Sequence, residues 1–212
     1  MKRVLCVALA LVMVLALTGC FGLKMEEVVG VWETKLPDTE VQAEALLLNV
    51  EAYEEEIALA DLTSLEYVKV AEFREDEMYE FRVDAEGTKA CVRSFFESYF
   101  DALYEGRTTL NEAYGITFDE MTEEEFKQFY VDMYGCESFD SMLDIFTENA
   151  YDYVALEAPL DKGIFSLKGN RIDCVSLGDG ESGEIEVVIS GDNGERMMLT
   201  YSDGVENYDR AG

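Results

Sequence analysis

The stretch GIFSLKGNRIDCVSLGDGESGEIEVVISGDNGERMMLTYSDGVENYDR, residues 163–210, decides the fold. Apolar and polar residues alternate with a period of two, and glycine-rich punctuation interrupts them at 169–170, 178–183, 191–194 and 203–204. Successive side chains of a strand point to opposite faces, so the pattern reads as half-buried strands joined by tight turns. Five strands are predicted, over 163–168, 171–177, 184–190, 195–201 and 205–210. Ile185, Val187 and Ile189 share one face of the third, and Met197, Leu199 and Tyr201 share one face of the fourth.

Three more strands stand upstream. VVGVWETKL, residues 28–36, ends at Pro37, and residues 65–73 and 78–84 form a hairpin about the polar turn Arg74–Glu77. In the second arm Tyr79, Phe81 and Val83 oppose Glu80, Arg82 and Asp84. Between the first two strands, Asp38 and Thr39 are N-cap candidates for one or two short helices reaching about Ala60. After Gly87 the period changes. Val92, Phe95, Phe96, Tyr99, Phe100 and Leu103 form one helical stripe ending at Gly106. A second helix opens on the capping-box pair Thr122 and Glu125, buries Phe126, Phe129, Tyr130 and Met133, and stops at Gly135. A third begins at Ser138 and carries Phe139, Met142, Leu143 and Phe146. Eight strands in a meander suffice to close a small barrel. The expected fold class is therefore α+β, an eight-stranded antiparallel up-and-down β-barrel over 28–87 and 159–210, interrupted by a helical insertion over 88–158.

The N-terminus reads MKRVLCVALALVMVLALTGC. Lys2 and Arg3 precede an uncharged apolar run, Val4–Leu17, shorter than the ~20 residues a spanning helix needs. The run ends in Leu17-Thr18-Gly19-Cys20, which resembles the lipobox of bacterial lipoproteins. That resemblance implies a signal peptide over 1–19 and diacylation of Cys20. It also implies a lipidated tether over 20–27 and a location on the extracytoplasmic face of the cell membrane. Two acyl chains are about what stable anchoring requires. A free tether of seven residues, Phe21–Glu27, has a reach of about 25 Å.

Composition narrows the function. The 46 acidic residues, against 16 basic, give a formal net charge of −30. Loss of residues 1–19 removes two basic residues and no acid, leaving a net of −32. A nucleic-acid partner is excluded, because its phosphates would be repelled. The chain has no histidine, which removes Ser-His and Cys-His nucleophiles and imidazole metal sites. Beyond Cys20 only Cys91, Cys136 and Cys174 remain, an odd number without CxxC spacing, and they read as small buried hydrophobes. The acidic runs at 54–56, 123–125 and 179–181 fit no EF-hand, since the glycine required six positions into the loop is Glu184. Such runs read as solvated faces, and no metal, cofactor or catalytic residue is assigned.

Gly30-Val31-Trp32 on the first strand, the eight-strand meander, and Arg210 on the last strand resemble the lipocalin and calycin-type barrels. The resemblance implies that Trp32 packs across the barrel floor beneath Arg210. The chain also resembles lipocalin-like lipoproteins of Gram-positive bacteria in its G-x-W-E opening, and in Gly163-Ile164-Phe165 followed by Asn170-Arg171-Ile172. A barrel mouth lined by Tyr79, Phe81, Phe165 and Met197 would then accept a small apolar ligand without catalysis. Alternatively, the barrel is filled by its own side chains, as many eight-stranded barrels are. The helical block faintly resembles helices of prolyl-isomerase chaperones that clasp unfolded segments. The second reading of function is accordingly a protein-interaction module, chaperone-like or inhibitor-like, acting through residues 88–157.

Overall fold

A computed structural model describes residues 22–154 and 160–211. Cys20 and residues 1–19, read in the sequence as a signal peptide, lie outside the described residues. The eight strands are β1 Gly30–Pro37, β2 Glu66–Phe73, β3 Met78–Val83, β4 Asp161–Lys168, β5 Arg171–Ser176, β6 Ser182–Ser190, β7 Arg196–Thr200 and β8 Val205–Arg210. They pair in chain order and close into a barrel. Closure is made by β1 against β8, with Trp32 opposite Arg210 and Glu33 opposite Asp209. The helical residues between β3 and β4 do not disturb the ladder. Phe81 faces Asp161, Tyr79 faces Gly163 and Met78 faces Ile164, as in an ordinary hairpin.

Alternation sets the two faces. In β6, Ile185 and Val187 are buried between exposed Glu184 and Glu186, and in β7 Met197 and Leu199 point inward. Gly163 is required by close approach: a Cβ there would stand 2.0 Å from the Val175 carbonyl oxygen and 2.7 Å from the Tyr79 ring. The ring fills the space that the missing side chain leaves.

The chain divides into two compact units. One holds the described residues up to Thr34, Val70–Phe81 and those from Asp161 onward; the other holds Lys35–Lys69 and Arg82–Leu160. This differs from the division read in the sequence. Residues 38–65 share a hydrophobic core with the helical block instead of belonging to the barrel, because Ala43, Leu46, Leu47 and Leu65 bury their side chains among Val92, Phe96 and Phe100.

The helical unit comprises α2 Glu40–Asn49, α3 Glu54–Ile57, α4 Ala85–Glu105, α5 Asn111–Tyr114, α6 Glu123–Tyr134 and α7 Phe139–Val154, with 3-10 turns at Leu62–Ser64 and Arg107–Leu110; a single turn in the other unit, α1 Met25–Val28, precedes β1. Caps account for most starts. Thr39 accepts from the Gln42 N–H, Asp84 from Gly87, and Thr122 with Glu125 bond reciprocally. All six stripe residues of α4 are buried. Arg93 of α4 ties to Asp140 at 2.9 Å and to Asp144 of α7, and Lys89 to Glu148 at 2.7 Å. In α6 Met133 is 42% exposed, because the buried stripe runs through Phe126, Tyr130 and Val131 and leaves Met133 on its flank.

Candidate functional site

The barrel interior gathers Trp32, Tyr79, Phe81, Phe165 and Met197, while Arg210 is exposed at one end of it. At one end Trp32 is fully buried, donates from Nε1 to the Val28 carbonyl at 2.8 Å, and lies 4.4 Å from the Arg210 guanidinium. Arg210 Nη2 donates to the Glu27 carbonyl at 2.8 Å. The cation over the indole and the two bonds to α1 hold that helical turn across the end of the barrel. Residues 23–27, read as tether in the sequence, are thus folded, and Val28, read as the start of the first strand, ends the helical turn instead: Val28 is fully buried, and Leu23 and Met25 pack on the barrel core.

Above this floor the interior is filled. Phe73 and Phe165 meet edge to face with centroids 5.2 Å apart, among Ile172, Val187, Met197 and Leu199. Phe165 and Met197 are both 1% exposed and belong to this packed middle. Tyr79 and Phe81 stand higher, with centroids 5.5 Å apart, and Phe81 meets Tyr201 at 6.4 Å. The four candidates therefore share one cluster at different heights.

The upper end, on the side of the loops at 177–181 and 201–204, is polar. Tyr79 donates its hydroxyl to Asp161 Oδ2 at 2.6 Å, and Ser176 donates to Asp161 Oδ1 at 2.8 Å. Tyr208 donates to Glu206 Oε2 at 2.6 Å. Burial, reinforced by Asp161, pushes the Tyr79 phenol well above its ordinary value. Tyr201 and Tyr208 are raised chiefly by burial, with Glu206 adding to it. Cys174 is pushed up to about 12, first by burial and then by Asp161 and Asp173. The phenols and the thiol stay protonated at neutral pH. They are hydrogen-bonding groups there, not nucleophiles.

Asp161, Ser176 and Glu206 were missed from the sequence. Asp161 is in phase with Gly163 and Phe165, but it lies two residues before the span 163–168 that the sequence marks as a strand.

The helical unit holds a second polar centre. Glu56 is 1% exposed, and its Oε1 accepts from Tyr114 and Tyr130 hydroxyls, each at 2.6 Å, while Oε2 accepts from the Tyr53 N–H at 2.8 Å. The sequence placed residues 54–56 on a solvated face; Glu56 instead turns inward, because these three donors satisfy its carboxylate. Among the described residues no three acidic or cysteine side chains converge as a metal site would require.

No protein-family model matches the chain, and no curated protein or solved structure matches it.

Proposed function

We propose that the protein is a lipid-anchored, extracytoplasmic lipoprotein whose lipocalin-like barrel binds a small molecule without transforming it. The observation that carries the ligand reading is the gradient inside the barrel. Apolar side chains fill the floor and middle, with Leu167 and Ile189 half-buried near the lower turns, whereas the half-buried polar inward groups Asp161, Ser176, Tyr201 and Glu206 lie at the upper end, above buried Tyr79 and Phe81. A ligand enters from that end. Its apolar body rests on Tyr79, Phe81 and Tyr201, and a donor group, such as an amine or hydroxyl, faces the carboxylates of Asp161 and Glu206. Burial keeps the Tyr79 phenol and the Cys174 thiol protonated at neutral pH, which suits them to hydrogen bonding with a ligand. The anchor reading rests on the Leu17–Cys20 motif. The interaction reading has less to draw on, because the aromatic stripes of α4 and α6 are consumed in their own core.

The test is native mass spectrometry of the full chain, extracted in mild detergent from the membranes of a bacterial host. Acylation of Cys20 appears as added covalent mass on a chain cut after Gly19. A non-covalent small mass that disappears in Phe81→Arg supports the ligand site. An apo mass from both proteins refutes it.

A further inference from the structure

The segment that follows Cys20 does not hang free. Leu23 donates its N–H to the Gly169 carbonyl at 2.8 Å. Gly22 passes so close to the β4–β5 turn that a Cβ would stand 2.5 Å from Gly169 Cα. From there α1 is held by Trp32 and Arg210. Three residue steps separate Cys20 from Leu23, a span of about 10 Å, in place of the 25 Å of a free tether.

We infer that the barrel stands on the membrane on its Trp32 end, with the bilayer surface as the partner of that end and the ligand-binding end held away from it. The inference rests on the proposed anchor at Cys20. The turns Arg74–Glu77, Gly169–Asn170 and Gly191–Gly194 lie at the membrane-facing end. Charge does not set the orientation: the basic residues Lys24, Arg74 and Arg196 at this end stand among Glu26, Glu27, Glu75, Asp76, Glu77 and Asp192, and the opposite loops, 177–181 and 201–204, carry Asp179, Glu181 and Asp203. The orientation follows from where the chain after Cys20 meets the fold, at the Gly169 turn. The functional consequence is that ligand reaches the barrel from the aqueous phase and is not drawn sideways out of the lipid.

Strands of eight residues tilted as in a small barrel set the two ends about 20 Å apart. The lipidated full chain is reconstituted into phosphatidylcholine vesicles containing an acceptor-labelled lipid, with a donor dye at Asn193→Cys or Asp203→Cys in a Cys136→Ser background. Transfer to the bilayer is expected to be at least about twofold stronger from position 193 than from 203. A ten-residue Gly-Ser insertion between Phe21 and Gly22 adds about 18 Å of root-mean-square reach and is expected to erase the difference. Equal transfer from both positions in the acylated chain, or a difference that survives the insertion, overturns the orientation. A chain without acyl mass that fails to bind vesicles overturns the anchor itself, and the orientation with it. Trp32 emission reports that each labelled barrel is folded.

Discussion

Removing the Tyr130 hydroxyl gives a destabilisation whose size depends on pH in a direction the structure dictates. Near pH 7, Tyr130→Phe loses one hydrogen bond to the buried Glu56 carboxylate, 2.6 Å long, and such bonds to charged groups contribute about 2 kcal/mol. Burial, and then the Glu56 charge, raise the Tyr130 phenol far above its ordinary value. A group raised in the folded state contributes its full stability below the unfolded pKa, near 10 for tyrosine, and loses it as pH climbs beyond. Above that point the unfolded chain releases the proton and the folded one does not. Wild-type stability then falls by about 1.4 kcal/mol per pH unit for this tyrosine. The Phe variant has no such proton to lose. Its deficit against wild type should shrink from about 2 kcal/mol near pH 7 to about 0.6 kcal/mol near pH 11. Tyr99, equally buried and raised by burial and Glu56, titrates on both sides of the comparison and cancels. Urea denaturation read by circular dichroism at the helical band measures both deficits. Trp32 fluorescence follows the barrel separately, since it is the chain's single tryptophan. A deficit that is unchanged between the two pH values would refute the argument, because Tyr130 would then ionise alike in the folded and unfolded chain.

Gly163→Ala should cost the barrel about 3 kcal/mol in urea titrations followed by Trp32 emission, since the added methyl meets the Val175 carbonyl and the Tyr79 ring at once. Arg210→Ala removes both the cation over Trp32 and the bond to the Glu27 carbonyl, so a loss of about 1–3 kcal/mol and a red shift of the Trp32 emission are expected; an unshifted spectrum would mean that α1 is held without it. Thiol labelling of the native protein near pH 8 should modify half-buried Cys136 alone. Cys91 and Cys174 are buried, with pKa values pushed up by that burial, and should react only in denaturant; rapid native labelling of Cys174 would contradict the closed interior.

Local signals made the barrel readable. The strand at 205–210 coincides with β8, and the turns at 169–170 and 191–194 fall where glycine and asparagine stand. The helices of the second unit announced themselves through Thr122, Glu125 and the α4 stripe, because caps and periodicity are decided within a few residues. What escaped was settled at long range. Glu54, Glu55 and Glu56 look alike as a run, yet each helical step turns about 100°, and only Glu56 meets tyrosines that stand 58 and 74 residues away. The turn Met25–Val28 is four residues long, too short to show a period, and it is held by Trp32 and by Arg210 at the far end of the chain. Residues 38–65 lie between two barrel strands, and nothing local in them says that Leu46 and Leu47 are buried beside α4.

The candidate site was legible in one dimension and hidden in another. Alternation along a strand tells which residues face the interior, so Tyr79, Phe81, Phe165 and Met197 could be placed on the inner face from sequence. Their height within the barrel depends on register, which only the pairing of strands supplies. Phe81 opposes Asp161, and Tyr79 opposes Gly163 two residues further down β4. Met197 opposes Tyr208, two residues below Glu206. Height then decides role. A side chain packed on every side, such as Phe165 against Phe73, contributes to folding and is unavailable to a ligand without loss of that packing. Tyr79 and Phe81 are buried in the same core, but they stand beside the half-buried Asp161, where the packed interior gives way to polar groups. The inward carboxylates also explain why the barrel ends in tyrosines at that height. An acid facing inward needs donors, and a phenol supplies one while its ring continues the apolar lining beneath.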